Sequence, residues 1–181
     1  MVPRHCLLGI GSNLGNRLAN LQDALLRLER AVSNVRVSAL YESDPVGPPG
    51  QPPYLNAVAA GDTILDPSDL LVALKRIEWA LGRRPAQRWS ARPVDLDILI
   101  IEGVSLHEAT LTIPHPRITE RLFVLLPLAD LAPNLRLATG RAVTEEIGRL
   151  QAGSVRRIAG DDWRDAVSVF PPTMPPPAPQ P

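Results

Sequence analysis

Residues 94–101 read Val-Asp-Leu-Asp-Ile-Leu-Ile-Ile, an apolar run interrupted only by two carboxylates two positions apart. A run of this length and branched-chain content predicts a buried central strand. Side chains alternate along a strand, so Asp95 and Asp97 project to one face, about 6.5–7 Å apart along the chain. Carboxylates so placed repel each other unless something positive stands between them. A hard divalent cation fits, because Mg²⁺ takes one or two carboxylates and completes its shell with waters and phosphate oxygens. A pair of solvent-facing acids on an edge strand would give the same pattern, and the D-x-D alone leaves both readings open.

The residues just before this run favour the metal. Between Lys75 and Arg92 stand six cations (Lys75, Arg76, Arg83, Arg84, Arg88, Arg92) and one acid, Glu78. Guanidinium forks match phosphate oxygens and stay charged at any working pH. A basic loop at 83–93 running into a strand with two carboxylates therefore suggests a polyanion bridged to protein through a cation. The rival reading is RNA or single-strand binding, since Trp89 lies among the arginines. Against it stand a formal net charge of zero and the lack of aromatic-rich central strands.

The rest of the chain alternates between strand and helix signals. Residues 5–11 form an apolar run ending at glycine, and Leu18, Leu21, Leu25, Leu28 and Val32 keep helical spacing after Asn16, a candidate cap. Val35–Tyr41 alternates as a second strand, and Tyr54–Thr63 as a third. Residues 44–53 between them hold five prolines and two glycines and predict a long functional loop. A second helix starts at Asp66, Pro67 and Asp69, buries Leu70, Leu74, Ile77 and Leu81, and stops at Gly82. The order is α+β, a ferredoxin-like βαββαβ antiparallel sheet with both helices on one face. Pro114, Pro116, Pro127 and Pro133 limit residues 113–133 to irregular and short helical turns, and a short amphipathic segment at 144–150 closes the domain.

The apolar and charged fractions, 45% and 21%, are those of an ordinary globular domain. The domain is expected over 1–167. Residues 168–181 are a proline-rich tail with little to bury, expected to be disordered. One cysteine, Cys6, excludes an internal disulfide and reads as a small core residue. Three histidines without cysteine partners argue against structural zinc. The N-terminal apolar stretch is too short for a signal peptide, and no segment approaches membrane-spanning length. A cytoplasmic monomer is expected. Gly9-Ile10-Gly11-Ser12-Asn13-Leu14-Gly15 approaches a dinucleotide fingerprint, but its last gap is one residue too long and the sheet is not parallel.

Four strings, IGSNLGNR, YESDPVGPPGQPPYLNAV, RRPAQRWSARPVDLDIL and IPHPRITERLFVLLPLADLAP, together resemble the hydroxymethyldihydropterin pyrophosphokinase family over residues 9–133, in order and spacing. The resemblance implies pyrophosphate transfer from ATP to 6-hydroxymethyl-7,8-dihydropterin in folate biosynthesis. It implies two Mg²⁺ ions on Asp95 and Asp97. Arg83, Arg88, Arg92, His115 and Arg121 would contact the ATP phosphates, with Ile98 near the adenine. Arg83 and Arg92 would join the two aspartates in catalysis. Ser43, Val46, Tyr54, Asn56, Trp89 and Phe123 would form the pterin pocket, and Glu78 matches an acidic position of the family pattern.

The chain departs from that pattern at Ser90, Ala91 and Pro93, where the family usually carries Gly-Pro after the tryptophan and threonine after the second arginine. Pro85 takes the place of a loop arginine, with Arg84 one residue earlier, and Ser43 and Asp44 differ beside the pterin. These departures motivate an alternative, a catalytically silent relative that binds ATP and pterin. A ferredoxin-like RNA-binding module is the more distant one.

Overall fold

The apolar stretch that opens the chain becomes β1 (Arg4–Ser12), the middle of a sheet with antiparallel partners on both sides. The computed structural model describes residues 2–85, 89–150 and 154–165. The expected domain boundary at 167, the proline-rich tail and Arg88 lie outside the described residues. After β1 come α1 (Arg17–Leu28), β2 (Ser33–Val37), β3 (Leu40–Ser43), β4 (Tyr54–Thr63), α2 (Pro67–Ala80) and β5 (Asp95–Ile101). The strands lie in the order β5-β1-β4-β3, with β2 also paired to β4. This is the ferredoxin-like order expected from the sequence.

One expected strand is two. The 35–41 run splits into β2 and β3 because Ser38 interrupts the ladder. Its N–H donates to the Val58 carbonyl at 2.9 Å, and its hydroxyl accepts the Val58 N–H at 2.9 Å. The next amide, Ala39, donates to the Asp130 carboxylate at 3.1 Å.

Helices α1 and α2 bury Leu21, Leu25, Leu28, Leu70, Leu74 and Ile77 against Cys6, Leu8, Ile10, Leu96 and Ile98 on one sheet face. Asn16 caps α1, accepting the Ala19 N–H at 3.1 Å. Asp66 holds the cap position of α2, yet its side chain makes no capping bond. It accepts from Arg4 at 3.0 Å instead, so an ion pair to β1 replaces the expected cap. Gly82, at φ 92°, ends α2 in the left-handed conformation that glycine adopts without steric cost.

A small hairpin, β6 (Leu106–His107) and β7 (Thr112–Ile113), precedes α3 (Leu122–Leu131) and α4 (Val143–Ile147). Helix α3 covers the other sheet face, where Leu7, Val58, Ala60 and Leu99 meet Val124, Leu125 and Leu128. Pro127 sits inside α3, where only short turns were expected. Proline lacks the N–H that would bond four residues back, and burial of Val124, Leu125 and Leu128 offsets that loss. The sequence also did not announce β8 (Val155–Ala159), which pairs with β3 at the sheet's edge. Beyond it Trp163 is buried, its indole N–H donating to the Ser38 carbonyl at 2.9 Å.

Where β2 turns against β4, Gly61 leaves no room for a side chain. An added Cβ would lie 2.5 Å from Val32 Cγ1 and 2.6 Å from the Ser33 carbonyl oxygen. Gly61→Ala should cost about 1–3 kcal/mol, lowering Tm by about 2–10 °C. Thermal unfolding followed by circular dichroism checks this.

Candidate active site

Strand alternation places Asp95 and Asp97 on the sheet face away from α1 and α2, and the neighbouring strand leaves them exposed to a cleft. Their partners on β1 are Gly11 and Gly9, so no β1 side chain stands beside either carboxylate. The glycine motif at 9–15 thus finds its use as clearance. A Cβ on Gly11 would already lie 3.4 Å from Asn56 Oδ1 and 3.6 Å from the Tyr54 ring. Asn56 on β4 is buried and donates through Nδ2 to Ser43 Oγ at 3.0 Å. That bond fixes the amide's orientation.

Charge is unevenly shared between the two aspartates. Asp95 pairs with Arg83 and with Arg92, the latter at 3.2 Å. Burial pushes the Asp95 carboxyl up, but Arg92, Arg83 and Lys75 outweigh it and hold it below the ordinary carboxylate range. Asp97 goes the other way: burial, then the negative charge of Asp95, raise it, and Lys75, His115 and Arg121 only partly offset that. The site therefore carries one carboxylate matched by cations and one that burial and its neighbour's charge make harder to ionise.

Glu78 anchors the basic side. Its buried carboxylate accepts from Lys75 Nζ at 2.8 Å, from Arg83 at 2.5 Å and from the Leu96 N–H at 2.8 Å. It thereby ties the end of α2 to the start of β5 and turns Arg83 toward Asp95. His115 follows the cis Ile113–Pro114 bond, and its own N–H donates to the Leu99 carbonyl at 2.8 Å. Its Nδ1 accepts the Arg117 N–H at 3.1 Å, which leaves Nε2 as the protonated, donating nitrogen. Burial, then Arg121 and Arg117, lower its pKa against the opposing pull of Asp97.

Two cavities meet at this centre. The first, about 110 Å³, is lined by Ser43, Val46, Tyr54, Asn56 and Phe123. The second, about 700 Å³ and more open, is lined by Lys75, Glu78, Arg83 and His115. Trp89, Arg92, Asp95, Asp97 and Arg121 line both. The small cavity suits a flat heterocycle between aromatic side chains, and the larger one suits a polyanion.

Most site residues expected from the sequence therefore converge. Ile98 does not line either cavity; it is buried in the core beneath α1 and α2. Arg84 lines the larger cavity but its guanidinium is held locally, stacking on Trp79 at 4.3 Å and donating to the Trp79 and Arg83 carbonyls. Arg88 lies outside the described residues. Sequence reading counted Lys75 in the basic cluster but did not place it in the site, although its Nζ reaches Glu78 and it lines the larger cavity. It also missed Asn13 and Gln51, which bind loops rather than line the clefts.

Among the described residues no group of three or more histidine, cysteine, aspartate or glutamate side chains converges on a metal position. The donor set is two carboxylates, one of them short of positive charge. That fits a hard cation completing its shell with water and phosphate oxygens, and does not fit a closed, all-protein metal cage.

Fold and site together define a ferredoxin-like α+β domain with a small aromatic pocket opening onto an arginine- and carboxylate-lined cleft. The family described as 7,8-dihydro-6-hydroxymethylpterin-pyrophosphokinase matches residues 7–133, and the chain belongs to that family. The chain is 45% identical to a 2-amino-4-hydroxy-6-hydroxymethyldihydropteridine pyrophosphokinase of Pseudomonas aeruginosa, over 83% of this chain and 94% of the relative. It is 40% identical to the enzyme of the same name from Methylorubrum extorquens, over 83% and 96%. A crystal structure of Plasmodium falciparum HPPK-DHPS with pterin and p-hydroxybenzoate superposes with a TM-score of 0.65 at 17% identity. It covers 82% of this chain, which spans 43% of that longer one.

The opposite shifts of the two aspartates have opposite consequences for stability. Asp95 contributes stability that is present above its unfolded value, near 3.9, and is lost as pH falls through its lower folded value. Ionised Asp97 takes stability away as pH rises from about 3.9 through its raised folded value. In the metal-free protein at pH 7, Asp95→Asn should cost about 1–3 kcal/mol, whereas Asp97→Asn should raise Tm. Urea and thermal unfolding of the two variants separate these cases.

Proposed function

We propose that this chain transfers the terminal pyrophosphoryl group of ATP to the hydroxymethyl oxygen of 6-hydroxymethyl-7,8-dihydropterin, giving the pterin diphosphate and AMP in folate biosynthesis. The observation that carries this reading is the junction of the two cavities at Asp95, Asp97, Arg92 and Arg121. A small heterocycle in one and a nucleotide in the other would bring their reacting ends to the same four side chains.

Tyr54 and Phe123 would flank the pterin ring, and Asn56, its amide set by Ser43, would read the polar edge. Val46 and Trp89 would close the pocket from the loops. Arg83, Arg92, His115 and Arg121 would hold the phosphates, with Arg88 as a further candidate from the sequence. Ile98, expected near the adenine, has its side chain in the core and lines neither cavity, so it has no part in this reading. Asp95 and Asp97 would hold two Mg²⁺ ions. Such ions, when bound, supply charge neutralisation on the attacking and leaving oxygens.

In the transfer itself, a bond forms between the pterin oxygen and the β-phosphorus. The bond from that phosphorus to the oxygen bridging to the α-phosphate breaks, and the hydroxyl proton is released. The protein's part is alignment and charge. Arg83 and Arg92, which pair with Asp95, would turn to phosphate oxygens, and His115 would donate from Nε2. Glu78 keeps Arg83 within reach of both. A cytoplasmic monomer without nucleic-acid partners belongs to the same reading. The zero net charge speaks against nucleic-acid partners; no helix of the described residues is long and apolar enough to cross a membrane.

AMP production from ATP and Mg²⁺ should depend on the pterin, and Asp97→Ala should lower kcat by at least about 10³-fold while the protein stays folded. Pterin-independent AMP release, or a fully active Asp97→Ala variant, would sink the assignment. Binding of both ligands without AMP release would favour a silent relative.

A further inference from the structure

Where β3 ends, the small cavity has a polar corner. The ladder between β3 and β8 pairs Ser43 with Val155. One step further along both chains Asp44 meets Ser154, and the Ser154 hydroxyl donates to Asp44 Oδ2. Asp44 lines the small cavity beside Ser43 and Asn56 and does not line the large one. Ser154 lies beyond the span matched by the family, residues 7–133. A strand outside that span therefore holds a side chain of the pocket.

What this corner offers a ligand is set by the bonds already made. Asn56 commits its donor, Nδ2, to Ser43 Oγ, which turns its acceptor, Oδ1, toward Gly11 in the cavity wall. An ionised aspartate can only accept. Ser154 holds one oxygen of Asp44, and the residue stays exposed, so its carboxylate is accessible to a ligand. The corner thus presents acceptors and a negative charge. A ring carbonyl placed there would set oxygen against oxygen, whereas amino and ring N–H groups would be satisfied. Hydrogen bonds to a charged acceptor are the stronger kind. A site built to bond N–H groups rejects an analogue lacking them, because its acceptors are then left unpaired.

We infer that Asp44, held by Ser154, is a specificity-determining residue that takes the 2-amino edge of the pterin and rejects a 2-oxo ring. The inference rests on the pterin reading above and adds a charged contact to the uncharged one from Asn56. Asp44 takes no part in the transfer step.

The test measures, by calorimetry, affinity for 6-hydroxymethyl-7,8-dihydropterin and for 6-hydroxymethyl-7,8-dihydrolumazine, which carries oxygen in place of the 2-amino group. Both are titrated with saturating Mg²⁺ and α,β-methylene-ATP, whose α–β bridge resists cleavage. The wild-type protein should prefer the pterin by at least about 100-fold. Asp44→Ala should weaken pterin binding at least about tenfold and leave the 2-oxo compound unchanged or tighter. Asp44→Asn keeps the shape and can offer an N–H to the 2-oxo group, so it should narrow the preference at least as far. Ser154→Ala frees the carboxylate without removing it and should weaken pterin binding by about two- to fivefold. Affinity for the nucleotide analogue should stay within about twofold in every variant, since Asp44 does not line the large cavity. A pterin preference unchanged in Asp44→Ala and Asp44→Asn overturns the inference, as does an equal loss for both compounds or a wild-type protein that binds both alike. Unchanged pterin affinity in Ser154→Ala removes Ser154 from it. A wild-type protein that binds the nucleotide analogue but neither heterocycle overturns instead the functional reading beneath it.

Discussion

Burying Asp95 and Asp97 side by side on one strand face costs free energy, and the surrounding structure is arranged around that cost. Desolvation disfavours both ionised forms, and each carboxylate disfavours the other. The protein offsets the penalty for Asp95 alone, with Arg83 and Arg92 at hand and Lys75 close by. Asp97 is left in deficit. A site built only for stability would have matched both or replaced both with apolar side chains. A site meant to receive a cation and a phosphate chain has reason to keep one carboxylate unmatched.

The fold supplies this arrangement cheaply. In the ferredoxin-like order β5 lies next to β1, and glycines at 9 and 11 on β1 clear space beside the two acids. Helix α2 ends where the basic loop begins, and buried Glu78 on its last turn ties Arg83 to the start of β5. On the same sheet face, β3 and β4 present Ser43, Tyr54 and Asn56, while the start of α3 brings Arg121 and Phe123. Elements distant in sequence thus meet at one junction because the sheet order makes them neighbours.

The parts legible in the sequence were those set by local rules. Strand alternation placed Asp95 and Asp97 on one face, helical spacing marked the buried stripes of α1 and α2, and glycine marked the end of α2. Family resemblance added the aromatic pocket, which no local pattern announces. What escaped depends on contacts between distant residues. Strand β8 exists through pairing with β3, more than a hundred residues away, and its own residues, Val-Arg-Arg-Ile-Ala, show no clean alternation. Pro127 argued for a helix break, but packing of α3 on the sheet prevailed. Asn13 and Gln51, 38 residues apart, gave no sign that their side chains hydrogen-bond.

The most direct test of this electrostatic account is the equilibrium affinity for α,β-methylene-ATP measured with Mg²⁺ and again with EDTA. The account predicts tight binding with the metal and at least a hundredfold weaker binding without it, because the phosphate chain then meets the two carboxyl groups with no cation between them. Equal affinity in the two conditions would contradict it, showing that the arginines bind the nucleotide without a cation between phosphate and carboxylate.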